Sequence, residues 1–102
     1  MDIERWDEDR DGEFSEQRLR EILESKGYRV SRYTYSPGTV FPDHTHDVDK
    51  IDAVVSGRFR MTTKEGEAVL EAGDRMEVPA GTVHRAEVVG DEPVVSLDAV
   101  KG

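Results

Sequence analysis

Gly38-Thr39-Val40-Phe41-Pro42-Asp43-His44-Thr45-His46 and Gly73-Asp74-Arg75-Met76-Glu77-Val78-Pro79-Ala80-Gly81-Thr82-Val83-His84 hold all three histidines of the chain. His44 and His46 are two positions apart, so on a strand both imidazoles project from one face. His84 comes after a Pro-x-Gly turn, which can swing a third imidazole back toward that face. Neutral imidazole is a common protein ligand for zinc, iron, nickel and copper, and three of them form the core of many catalytic sites. The spacing predicts a metal site built from His44, His46 and His84.

Outward from these stretches the chain reads as strands. Tyr28–Tyr35 is rich in aromatic and β-branched residues and ends at Ser36-Pro37-Gly38. Further strand-like runs are Ile51–Ser56, Arg58–Thr63, Glu67–Leu70, Asp74–Val78, His84–Val89 and Pro93–Val100, punctuated by glycine-containing turns. Short strands at close, regular spacing indicate an antiparallel sandwich or a closed barrel. Before them, Ser15 to Gly27 predicts one short helix. Ser15 is the N-cap, Leu19, Ile22 and Leu23 form an apolar stripe, and Lys26 with Gly27 makes the stop. Residues 1–14 are mostly Asp, Glu and Arg and read as an extended lead-in, pinned by Ile3, Trp6 and Phe14. The expected division is an acidic segment and helix over 1–27, then a barrel over 28–102.

The two histidine stretches resemble the paired motifs of the cupin family. The first family motif is glycine, five residues, His-x-His, three or four residues, glutamate, six residues, glycine. Gly38, His44, His46 and Gly57 match it at the required spacing. The second is glycine, five residues, Pro-x-Gly, two residues, histidine, three residues, asparagine, and Gly73, Pro79, Gly81 and His84 match that. The resemblance implies an all-β fold, the cupin double-stranded β-helix or jelly-roll barrel, preceded here by the short helix. It also implies a divalent transition metal (iron, manganese, nickel or zinc) in one mouth, and assembly as a homodimer. An open strand edge in so small a barrel is a physical reason for pairing.

Two positions depart from the motifs. Lys50 stands where the family has its glutamate ligand, and Val88 where it has asparagine. An ammonium at a ligand position repels a divalent cation. Lys50 can be turned to solvent by a bulge or satisfied by Asp52; alternatively it lines the pocket and pairs with a carboxylate or phosphate of a ligand. Asp52, on the same strand face, can supply a ligand or pair with Lys50. By alternation, Phe59, Met61, Met76 and Val88 join Lys50 and Asp52 as pocket-lining residues. Two function classes follow. One is a metal-binding protein with an unknown small molecule in the barrel, of dioxygenase or isomerase type if it is an enzyme. The other is a metal-free ligand-binding or sensory protein.

Composition narrows the rest. The net charge of −9 argues against nucleic acid and anionic membranes, which select basic surfaces. No apolar run approaches the ~18 residues of a membrane span, and the acidic first residues are unlike a secretory leader, so cytoplasm is the expected compartment. With no cysteine, thiolate sites and disulfides are absent. Asp7 to Ser15 imitates the start of a calcium loop, but Arg18 occupies the position of its last, bidentate carboxylate, so this stretch reads as a solvated acidic segment.

Overall fold

The computed structural model describes residues 1–102. In chain order the elements are β1 (Asp2–Glu4), α1 (Glu8–Asp11), α2 (Glu16–Ser25), β2 (Tyr28–Tyr35), β3 (Val40–His44), β4 (Lys50–Ser56), β5 (Arg58–Thr63), β6 (Gly66–Leu70), β7 (Arg75–Val78), β8 (His84–Val89) and β9 (Val94–Lys101). All strand pairs are antiparallel and form two sheets, ordered β1-β7-β4-β9-β2 and β3-β8-β5-β6. This is the all-β cupin sandwich that the spacing and the resemblance implied.

Alternation decides which side chains fill the space between the sheets. On β5 and β8, Phe59, Met61, Ala86 and Val88 are buried, with Phe59 opposite Val88 and Met61 opposite Ala86. They meet Val54, Met76, Val78 and Val94 from the five-stranded sheet in one apolar cluster. The outer face of that sheet is covered as well. Helix α2 lays fully buried Leu19 and Leu23 on Ile51, Ala53, Leu97 and Ala99. Complete burial of a leucine is worth about 2 kcal/mol, which fastens the helix to the sheet. It also fixes the strand faces: Ile51 and Ala53 point to the helix, so Lys50, Asp52 and Val54 point between the sheets.

Ser15 caps α2 as expected, its Oγ accepting a hydrogen bond from Arg18 N at 3.0 Å. The lead-in has more structure than an extended segment. Ile3 pairs opposite Met76 at the sheet edge, and Asp7 caps the single turn of α1 by accepting from Asp9 N. Trp6 and Phe14 pack against the cluster under α2, and Ile3 against the inter-sheet core. Two of the acidic side chains here, Glu4 and Asp11, have basic partners. Asp11 and Arg75 are each 5% exposed and approach to 3.4 Å, with Arg10 2.8 Å from the same carboxylate. Hydrogen bonding from Arg10 and the nearby Arg75 charge hold Asp11 well below the usual carboxylate range. Strand β3 lies outside the strand-like runs of the sequence because Pro42 and Asp43 depress β propensity. An edge strand tolerates both residues.

Gly57 and Gly73 adopt positive φ angles of 81° and 88°. A Cβ at Gly57 would collide with the Pro93 backbone, and one at Gly73 with the Trp6 side chain, so at both positions a side chain is excluded by space as well as by φ. No helix is long and apolar enough to cross a membrane.

Candidate metal centre

β3 and β8 bring the histidines together. His44 is the Cα partner of His84 in the ladder, and the two rings lie 4.1 Å apart between centroids. His46, just past the end of β3, places its ring 4.8 Å from His44 and 5.2 Å from His84. The potential ligand atoms of all three lie within 4.8 Å of one another. Two backbone-directed bonds stitch the motifs to each other. Gly81 N donates to His46 O at 2.9 Å, and Ala80 N donates to Asp49 Oδ1 at 2.8 Å. The Pro-x-Gly turn is thus clamped to the segment that carries His46.

The hydrogen bonds of the rings select their tautomers. His44 Nδ1 lies 2.7 Å from Pro42 O, and His84 Nδ1 2.9 Å from Thr82 O. A carbonyl only accepts, so each Nδ1 carries the proton and each Nε2 keeps its lone pair. Outer-shell bonds of this kind orient imidazole ligands in metal sites. Burial, with the Lys50 charge and the neighbouring rings, lowers the pKa of His46 from its ordinary value. Burial likewise lowers that of His84 against the opposing effect of the Thr82 carbonyl. Neutral rings with free Nε2 atoms are the state a cation requires, and the donor set fits a divalent transition metal.

The histidines open into a cavity of about 200 Å³. Lys50, Asp52 and Phe59 line it, together with Tyr35, Phe41 and Asp98. Met61, Met76 and Val88 lie in the apolar cluster between the sheets and do not line this cavity. The ion-pair partner of Lys50 is Asp98, not Asp52: Nζ lies 2.7 Å from Asp98 Oδ1, a charge contact without hydrogen-bond alignment, since that buried oxygen has no hydrogen-bond partner. Asp52 is the Cα partner of Asp98 across β4 and β9. Burial pushes the Asp52 carboxyl up, as does the Asp98 charge, and Lys50 opposes the rise. Burial with the same two carboxylates pushes the Tyr35 hydroxyl up to about 12, so the phenol keeps its proton. Asp98 was missed in the sequence, although an aspartate inside Val94-Val-Ser-Leu-Asp-Ala-Val100 is the kind of polar residue in a buried strand that marks a site. Phe41 reaches the cavity through a register shift between Phe41 and His44, for which the sequence carried no signal.

Residues 31–100 match the Cupin domain family. The chain is 35% identical to a gentisate 1,2-dioxygenase of Ralstonia sp over 65 residues, which are 63% of this chain and 18% of that enzyme. It therefore spans less than a fifth of that relative. Among solved structures it resembles a cupin-like protein of Thermotoga maritima, with TM-score 0.65 and 24% identity over 74% of this chain and 57% of the other. The DMSP lyase DddQ of Ruegeria pomeroyi superposes with TM-score 0.66 and 21% identity over 74% of this chain and 39% of the lyase. These likenesses concern the fold. With His44 and His84 on neighbouring strands of one sheet, His46 beside them, and the family match over most of its length, the chain belongs to the cupin family.

Proposed function

We propose that the protein holds one divalent transition metal through Nε2 of His44, His46 and His84, with a small molecule in the adjoining cavity completing the coordination. The observation that carries this reading is the pair of Nδ1–H bonds from His44 and His84 to backbone carbonyls, which leave lone pairs on the opposite nitrogens. Three protein ligands leave open positions, the arrangement of sites that work on a bound molecule. A metal there would act as Lewis acid or oxygen activator, and the chain's own residues would orient the ligand and limit water. The Ralstonia relative is named as a dioxygenase, which agrees with this class of chemistry without specifying a substrate. Pairing of two copies belongs to the same reading. It is supported by edge strand β2, most of whose residues are exposed, and sedimentation velocity tests it.

Metal analysis of untagged protein tests the central claim. The expected result is close to one equivalent of metal after reconstitution, lost in His44→Ala protein that remains folded. Less than about one-tenth equivalent in the wild type would overturn it. One observation favours a second reading. Lys50, paired with Asp98, stands where the family has a carboxylate ligand, and this suits a metal-free ligand-binding cupin. That reading predicts ligand binding unaffected by chelators.

A further inference from the structure

Lys50 is an ammonium with three N–H donors, its side chain is 12% exposed, and its one ionic partner is Asp98. Lys50 is part-buried and lines the cavity, so an acceptor on a ligand that enters it can meet the ammonium in a charge-assisted hydrogen bond. The aromatic residues around it supply the other half of a recognition site. Tyr35, Phe41 and Phe59 line the same cavity and pack on one another at centroid distances of 4.8 to 6.2 Å. Part of the lining is thus built from aromatic rings, and the ammonium, the histidines and the carboxyls of Asp52 and Asp98 make the rest polar. At about 200 Å³ the space is smaller than the ~300–1,000 Å³ typical of drug-sized ligands.

We propose that Lys50 is the anchor for a small, singly charged organic carboxylate, whose planar or apolar part lies against Tyr35, Phe41 and Phe59. A single negative charge is the most that the neighbours favour. Asp98 already touches the ammonium and Asp52 faces Asp98 across the ladder, so a dianion such as a phosphate ester would meet two carboxyl groups for one cation. Asp98 is a positioning residue that holds the ammonium in place. The inference rests on the cavity being a ligand site, as proposed above, but not on the metal.

The test is a ¹H–¹⁵N NMR titration with benzoate, benzamide and phenyl phosphate, on zinc-loaded and on chelator-stripped protein, with metal content measured separately. Benzoate is expected to bind saturably and shift the amides of Tyr35, Phe41 and Phe59, with benzamide weaker by roughly tenfold or more. Lys50→Met should weaken benzoate by a similar factor, leave benzamide unchanged, and be rescued by Lys50→Arg. If Lys50→Met does not fold, Lys50→Met/Asp98→Asn, which leaves no uncompensated Asp98 charge, answers the same question. Benzoate affinity indifferent to Lys50, no saturable binding with Kd below about 10 mM, or phenyl phosphate binding tighter than benzoate would each overturn the proposal. Lys50-dependent benzoate binding in protein that takes up no metal would uphold the anchor and refute the metal reading. Stoichiometric metal with Lys50-independent benzoate binding would do the reverse.

Discussion

Asp52 and Asp98 are direct partners across β4 and β9, and both carboxyls open onto the cavity that holds the histidines. Side chains at facing positions of an antiparallel pair have Cβ atoms about 5 Å apart, where like charges repel. The Lys50 ammonium, 2.7 Å from Asp98, offsets part of that repulsion. The polar end of the cavity is therefore an interacting group of one cation and two acids, and changing any member alters stability and ligand preference together.

Asp52→Asn should stabilise the protein at neutral pH. The folded-state pKa of Asp52 is raised from 3.8 to about 6, so the native state binds more protons than the unfolded state between those values. Wild-type stability therefore falls as pH rises through that window. Asparagine removes this loss, for a gain of about 1–2 kcal/mol at pH 7 that disappears near pH 4. Urea denaturation of both proteins at the two pH values measures it; an equal difference at both would refute it.

Lys50→Glu should tighten divalent metal binding by about tenfold or more, since it removes a cation from beside the site and adds a fourth donor. Without metal the same variant gathers three carboxyl groups and should be less stable than the wild type. Competition with a chromophoric chelator reads the affinity and a thermal melt the stability. Unchanged affinity would place the Lys50 side chain away from the metal.

Metal affinity should be nearly level from pH 8 down to about 6.5 and fall below that. Binding requires neutral imidazoles, and those of His46 and His84 have pKa values below the ordinary histidine value of 6.5. These two rings also make folding of the metal-free protein pH-dependent. The unfolded state takes up their protons first on acidification, so stability present above 6.5 is lost as pH falls. Chelator competition across pH tests the first statement. An affinity already declining between pH 8 and 7 would contradict it.

Asp11→Ala should destabilise the protein by about 3 kcal/mol, because it leaves the buried Arg75 guanidinium without its buried carboxylate. The remaining contact of Arg75 with Glu4, at 3.3 Å, keeps the loss at the lower end for broken buried pairs. Metal content should be unchanged, since Asp11 lies outside the histidine cavity. Chemical denaturation and metal analysis together check both parts.

Much of this molecule is legible in the sequence, for local reasons. Alternation along Arg58–Thr63 and His84–Val89 places those strands to the residue, and both stand in the structure with the same bounds. Ser15 and the Leu19–Leu23 stripe specify α2 by capping and periodicity, which act within a turn or two. His44, His46 and His84 are gathered by motif spacing because a strand, a bend and a Pro-x-Gly turn have nearly fixed geometry. The pocket list is less legible. Met61, Met76 and Val88 share the inward-facing side with Phe59, yet only Phe59 reaches the cavity, since depth along the barrel is not a property of alternation.

By itself, the sequence determined the β-rich architecture, the capped helix and the three-imidazole set, all encoded in short-range periodicity, turn chemistry and spacing. Only the tertiary structure decided how the metal's neighbours are arranged. The register shift in β3 puts Phe41 and His44, three residues apart, on the same cavity, where unbroken alternation would send them to opposite faces. The cover of α2 over Ile51 and Ala53 turns Lys50 and Asp52 inward, and the β4–β9 register delivers Asp98 to both. Each of these depends on which strand lies beside which and in what register, a relation between residues tens of positions apart that local pattern does not carry.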